Sequence, residues 1–294
     1  MTPQHDTVRG ATASIAASVL FGVIFYLAGF AHSSSAESVF GWRVVITFAC
    51  YLLALAHPAV RLEIATFLRH LRIRWWMQLL SLCATAIVGV QLWLFMWAPM
   101  NGHALDASLG YLLLPICLVL GGRLILRTHV TRLQWFAVGL AVLAIATKLI
   151  AGAEITWVTF VICVPYATYF VMRRRVGLDG PVAFGMENAA LVPIALLALS
   201  STPAKATGED LILVVAIGIA SAVAMTLYLA AASLLSIPVF GLLGYIEPLL
   251  LVVVALALGE RLHGADLVAY AILSIGLALL CAEGFISARR ITDS

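Results

Sequence analysis

Charge is scarce in this chain: charged residues are 11% of 294, where a water-solvated domain carries about 25%. A free-standing soluble fold is thereby excluded, and the bilayer becomes the main solvent. Motif chemistry is equally thin. No HExxH, GxSxG or GxxxxGK[ST] string occurs, so zinc hydrolysis, serine hydrolysis and ATP binding have no recognisable site. Cys50, Cys83, Cys117, Cys163 and Cys281 show no CxxC or metal-ligand spacing and read as small hydrophobes buried in helices. The seven histidines fall in tails, loops or span ends, which leaves no histidine proton relay in mid-membrane. Period-2 alternation is missing as well, excluding a membrane β-barrel, and the connections are too short to fold outside the membrane.

Apolar residues fill the space, at 63% of the chain. A helix needs roughly 20 apolar residues to cross the hydrocarbon, and ten such stretches can be placed at 10–31, 37–57, 74–98, 105–126, 133–151, 155–173, 182–200, 210–233, 238–258 and 265–286. The expectation is an all-α membrane protein of ten transmembrane helices. Residues 10–31 are too long for a signal-peptide core and lack a small-x-small cleavage site, so the first span is retained. The net charge of +3 reflects topology rather than nucleic-acid binding. Thirteen arginines fall on the side of the N-terminus, while Arg43, Lys148, Lys205 and Arg261 fall toward the other. The positive-inside rule then puts both termini in the cytoplasm. Arg173–Arg175 read as a topology anchor or a lipid headgroup contact.

The spans form two sets of five. Leu109-Gly110-Tyr111-Leu112-Leu113-Leu114-Pro115 reappears one residue shorter as Leu243-Gly244-Tyr245-Ile246-Glu247-Pro248. The boundary falls at Ala151–Ala153, giving repeats over 1–152 and 153–294, and five spans per repeat invert the second relative to the first. Inverted repeats meeting at interrupted helices are a common transporter design. Pro115 and Pro248 sit at matching depth in spans four and nine, where a proline removes a backbone hydrogen bond. Irregular backbone is tolerated at that depth only beside protein or a wet cavity, so both prolines are expected to mark helix breaks, or kinks, beside a shared cavity. Gly110, Gly121, Gly122, Gly241 and Gly244 suit close helix packing.

Of fourteen acidic residues, Glu247 and Glu187 fall well inside predicted spans. A charge at mid-bilayer costs about 2.5–3.5 kcal/mol on insertion scales, so such groups face the bundle interior. Beside a broken helix, Glu247 suits proton coupling or pairing with a substrate ammonium. Arg43 has three readings: pairing with Glu37, facing an aqueous vestibule, or snorkelling to the interface, the last being the default near a helix end. Gln91, Trp93 and Trp97, with Tyr111, Tyr166, Tyr169, Tyr228 and Tyr245, are further candidates for lining a cavity suited to a small zwitterion or aromatic compound. Trp75, Trp76 and Trp157 belong to the interfacial belt.

These residues resemble a known family. Ten helices in two inverted five-helix repeats resemble the EamA-type branch of the drug/metabolite transporter superfamily. The run Gln91–Ala98, then Asp106–Tyr111 and Pro115, resembles the RarD family within it. Tyr169 followed by Arg173–Arg175, Glu187 six residues before Pro193, and Ala230–Ala232 leading to Gly244–Pro248 are similar to that family too. The resemblance implies an inner-membrane permease exporting small metabolites or amino-acid-like compounds, with no cofactor. Its implied partners are a small-molecule substrate and the bilayer, with proton coupling and without nucleic acid. Two departures stand out: Arg127-Thr128 replaces a Gly-Glu pair expected after span four, while Gly259-Glu260 keeps it after span nine. Glu247 also stands where many relatives have glycine. The alternative is a flippase or efflux carrier for a lipid-linked or amphiphilic drug-like molecule. An intramembrane enzyme built on Glu187 and Glu247 would lack a visible nucleophile or metal set.

Overall fold

A computed structural model of the chain describes residues 3–31, 34–152, 154–176, 181–201, 208–235, 237–262 and 264–292. His32, Ala153, Lys205 and His263, named above, lie outside the described residues, as do the side chains of His5, His70, Cys281, Arg289 and Arg290. The described chain is helical in the order α1 (Pro3–Ala28), α2 (Ala36–Ala54), α3 (Pro58–Ile73), α4 (Trp75–Met100), α5 (Ala104–Ile125) and α6 (Arg132–Ile150), then α7 (Trp157–Val176), α8 (Pro181–Ser201), α9 (Gly208–Leu234), α10 (Ile237–Gly244), α11 (Ile246–Ala257) and α12 (Gly264–Thr292). Seven of these, α1, α2, α4, α5, α6, α8 and α9, are long and apolar enough to cross a membrane. Shorter apolar stretches lie in α11 and α12, and α7 carries Arg173, Arg174 and Arg175 in its last turn.

The core lies between the sequence halves. Helix α1 packs on α9 and α11, α5 on α7 and α11, α6 on α12, and α2 on α8, α9 and α4. Ile24, Phe25, Leu94, Met96, Ile162, Ile217 and Leu251, from five helices, are shut off from the surface in one cluster. On the outside, Leu53, Leu124, Ile150, Leu197 and Ile212 are exposed, the inverse of a soluble protein's surface and the one lipid rewards. Cys83 is exposed there too, and Cys163 is buried, so the cysteines are not uniformly interior.

Two expectations are corrected, one at residues 58–73 and one at Pro115. Residues 58–73, read as a connection, form α3. Pro58 starts it, where the missing N–H costs nothing, and Phe67 is buried on the side toward α4 and α8 while Arg61, Leu62, Arg69 and Arg72 stay exposed. The predicted span 238–258 is two helices, α10 and α11, separated at Tyr245. Pro248 sits in the first turn of α11, where a proline is tolerated, and the interruption precedes it. Pro115 interrupts nothing: the helical backbone of α5 runs through it, as it does through Pro99, Pro165 and Pro193. A Cβ on Gly110 would lie 2.8 Å from Ile162 Cβ and 3.0 Å from the Thr159 carbonyl, so α5 and α7 touch backbone to backbone there.

Candidate functional site

Arg43 extends from α2 into the middle of the bundle and is only 5% exposed. Its Nε donates to Ser221 Oγ of α9 at 2.9 Å, and Nη1 donates to the Leu92 carbonyl of α4 at 3.4 Å. The guanidinium lies 5.1 Å from the Phe95 ring centroid, a cation–π contact whose value rises as water is excluded. Snorkelling and pairing with Glu37 are therefore both corrected. Glu37 instead accepts from Trp93 Nε1 at 3.3 Å. Arg43 stays inside because the hydroxyl, the carbonyl and the ring replace the water it has lost.

Around Arg43 stand Tyr111 of α5, Tyr166 of α7 and Glu247 of α11, all within electrostatic reach of its charge. Tyr228 of α9 senses Glu247 and Tyr166 in the same way. The rings form a chain, with Phe95 to Tyr111 at 5.9 Å and Tyr111 to Tyr166 at 6.5 Å between centroids, both edge to face. Tyr228 meets Phe21 at 6.3 Å and Phe240 of α10 at 4.8 Å. Tyr111 is buried, whereas Tyr166, Tyr228 and Glu247 keep some accessible surface. One cation and one carboxyl, set among three phenols, are thus supplied by five helices.

A second polar cluster adjoins the first along α7. Tyr166 stacks on Tyr169 with centroids 5.7 Å apart. Tyr169 Oη donates to Glu187 Oε2 at 2.7 Å, Arg173 donates to Tyr169 Oη, and Arg173 Nη1 lies 3.6 Å from Glu187 Oε2. The i, i+4 spacing of Tyr169 and Arg173 brings both onto one face of α7, opposite α8. Glu187, Tyr169 and Arg173 are all buried. Removing one partner of such a triad leaves the others unpaired, which is where its energetic cost lies. Glu187 is thus tied to Arg173.

The remaining candidates are dispersed. Gln91 Nε2 donates to the Val161 carbonyl at 2.7 Å, joining α4 to α7. Trp97 sits at the bundle end with His103 stacked at 5.2 Å and Trp157 at 5.4 Å, so Trp157 packs within the protein as well as facing outward. Tyr245 packs with the α5–α6–α12 cluster of Leu109, Leu273 and Leu277. Pro115 and Pro248 lie in α5 and α11, the helices that deliver Tyr111 and Glu247.

Sequence reasoning did not select Ser221, because serine in an apolar helix carries little signal by itself. Arg173 was visible only as one of three arginines, and its position four residues after Tyr169 was the clue. Glu260 was noted as part of a Gly-Glu pair without a role. It receives two backbone N–H groups at the start of α5, those of Ala104 at 2.6 Å and Leu105 at 2.7 Å.

Among the described residues no group of three or more His, Cys, Asp or Glu side chains is placed to hold a metal ion. No family model matches the chain. An uncharacterized transporter of Pasteurella multocida is 31% identical over 287 residues, covering 96% of this chain and 99% of that protein. The chloramphenicol-sensitive protein RarD of Pseudomonas aeruginosa is 33% identical over 291 residues, covering 96% of this chain and 95% of that protein. Protein RarD of Salmonella typhimurium is 28% identical over 220 residues, 72% of this chain and 74% of its own. A solved crystal structure shares the fold at a TM-score of 0.62, with 17% identity over 96% of this chain and 98% of that one. With long apolar helices and relatives of this kind along nearly its whole length, the chain is a multi-pass protein of the bacterial inner membrane and belongs to the RarD-like transporter family.

Proposed function

We propose that this protein is a secondary transporter that carries a small zwitterionic metabolite, of the amino-acid-like class, by alternating access around Arg43 and Glu247. In this reading the ten spans form two inverted five-helix repeats, 1–152 and 153–294, with both termini cytoplasmic and export as the direction of net flux. Arg43 holds the substrate's anionic end, and Glu247 holds its ammonium or the coupling proton. Tyr111, Tyr166 and Tyr228 supply hydrogen-bonding rims and ring faces. The observation that carries the reading is a buried arginine of the first half, bonded to Ser221 of the second and bordered by the Phe95–Tyr111–Tyr166 chain of rings. A charge pair divided between halves that rock against each other is loaded only when substrate bridges it. Transporter-named relatives support the class, and the break at Tyr245 beside Glu247 supports a moving part at the site.

The test is counterflow in proteoliposomes. Labelled neutral amino acids, dicarboxylates, organic cations and an amphiphilic probe such as chloramphenicol are offered one at a time, with and without a proton gradient. Saturable exchange confined to zwitterions is expected. Movement of the amphiphile alone would replace this reading with a flippase or drug-efflux carrier. No exchange by folded protein would remove the transport mechanism itself.

A further inference from the structure

At the end of the bundle away from the arginine-rich connections, contacts converge on a single turn, the first turn of α5. Glu260, in the turn between α11 and α12, receives both the Ala104 and Leu105 N–H groups on its two carboxylate oxygens. His103, at the cap position of α5, makes no side-chain cap of its own, so the carboxylate replaces it. Charge-assisted bonds at a helix N-terminus are the strong kind. Tyr270 of α12 donates Oη to the Leu105 carbonyl at 2.6 Å, and Thr159 of α7 donates Oγ1 to the Asp106 carbonyl at 2.9 Å. All three donors and acceptors that grip this turn come from the second half of the chain. Beside them Lys148 of α6 pairs with Asp266 of α12 at 2.8 Å. A cleft of about 360 Å³, lined by Asp106, Lys148, Glu260, Arg261 and Tyr270 among others, opens over this turn.

The corresponding place in the other half is built differently. Gly259 has φ +94°, a left-handed turn that glycine adopts freely, and Arg127 after α5 has φ +56°. Arg127-Thr128 therefore occupies the same kind of turn as Gly259-Glu260, with a threonine where the carboxylate would be. The helix start it would face, Ile237-Pro238, contains a proline, which has no N–H to donate. The sequence there offers neither a carboxylate at position 128 nor an N–H at position 238. At the arginine-rich end the halves meet through Arg175, whose Nη1 donates to the Ile125 carbonyl at 2.9 Å in an exposed position.

We infer that Glu260 is the latch of the periplasmic gate: its carboxylate clamps the N-terminus of α5, and the protein opens outward only when that clamp releases. This deepens the alternating-access reading and rests on it. The sequence of the counterpart, with Thr128 and Pro238, does not repeat this pairing of carboxylate and N–H groups, so the clamp biases the resting equilibrium toward the state closed on the periplasmic side. Glu260 is a positioning residue; it acts through α5, which carries Tyr111.

Pulsed electron–electron resonance on spin-labelled protein in nanodiscs tests it, with labels at Asn101 and Leu267 for one end and at His129 and Arg174 for the other, in a background freed of native cysteines. In Glu260→Gln and Glu260→Ala the long-distance population at the Asn101–Leu267 pair should rise roughly tenfold, while the His129–Arg174 pair shifts toward short distances. Tyr270→Phe, which keeps the packing and loses one bond, should give a smaller shift of the same sign. Unchanged distances in all three variants, with two populations exchanging at both ends, would overturn the latch and leave the carrier reading standing. One fixed population at both ends, whatever zwitterion or pH is applied, would overturn alternating access and the latch with it.

Discussion

Helices α5 and α10–α11 begin from nearly the same words and end as different objects. Leu109-Gly110-Tyr111 and Leu243-Gly244-Tyr245 are the same tripeptide. In α5 it lies within continuous helix, pressed against α7 so closely that Gly110 has no room for a side chain. In the second half the helix stops at Gly244, turns at Tyr245 and starts again at Ile246, and a Cβ on Gly244 would meet nothing within 4 Å among the described residues. Proline removes a backbone bond in both and so does not decide the outcome alone: where α7 clamps the chain, helix persists through Pro115, and in the second half the chain breaks one turn before Pro248. Glu247 replaces the first-half Leu114 in that looser segment. In the proposed carrier, α5 is then the fixed wall and α10–α11 the adjustable element.

Making the second half resemble the first should have the largest effect. Glu247→Leu is expected to lower zwitterion exchange by about a hundredfold while membrane insertion and melting temperature hold, because a missing charged partner costs several kcal/mol of binding. Exchange within twofold of wild type would make Glu247 a packing residue. Next in size, Pro248→Ala is expected to slow turnover roughly tenfold as α10 and α11 gain the freedom to join, whereas Pro115→Ala should leave the rate within about twofold. Equal slowing in both variants would erase the contrast between wall and hinge, and stopped-flow exchange rates decide it.

A smaller effect concerns stability. Gly110→Ala is expected to destabilise by about 1–3 kcal/mol through overpacking against Ile162, read as a fall in melting temperature, while Gly244→Ala should change it by under about 0.5 kcal/mol. Tyr169→Phe comes last, at about 1 kcal/mol, since interhelical bonds in membranes are individually modest. Both exchange and its substrate profile should survive that change if the Tyr169–Glu187–Arg173 triad is structural.

Much of this was legible in the residues. Runs of about twenty apolar residues foretold the helical bundle, because length and hydropathy leave few alternatives in lipid. Glu247 and Tyr111 stood out because an ionisable group, or a repeated aromatic, is conspicuous in an apolar helix. The broken helix was anticipated in span nine and wrongly extended to span four, because a proline reports only a lost bond and not the clamp that compensates for it. The default reading of Arg43 failed for a similar reason. Its default at a helix end is to reach for water, and only the fold reveals Ser221, Leu92 and Phe95 waiting on α9 and α4. Helix α3 was missed because its apolar residues are too few for a span, although their helical spacing was present. Glu260 gave no hint of its target, 156 residues away in the chain.

The measurement that bears most directly on the account is counterflow of a labelled zwitterionic amino acid by wild-type protein and by Glu247→Gln in matched proteoliposomes across pH 5.5–8. Wild-type exchange that is saturable and pH-dependent, together with a Gln variant that is folded, at least about tenfold slower and flat with pH, is the predicted result. Equal exchange and equal pH profiles in the two proteins would contradict it.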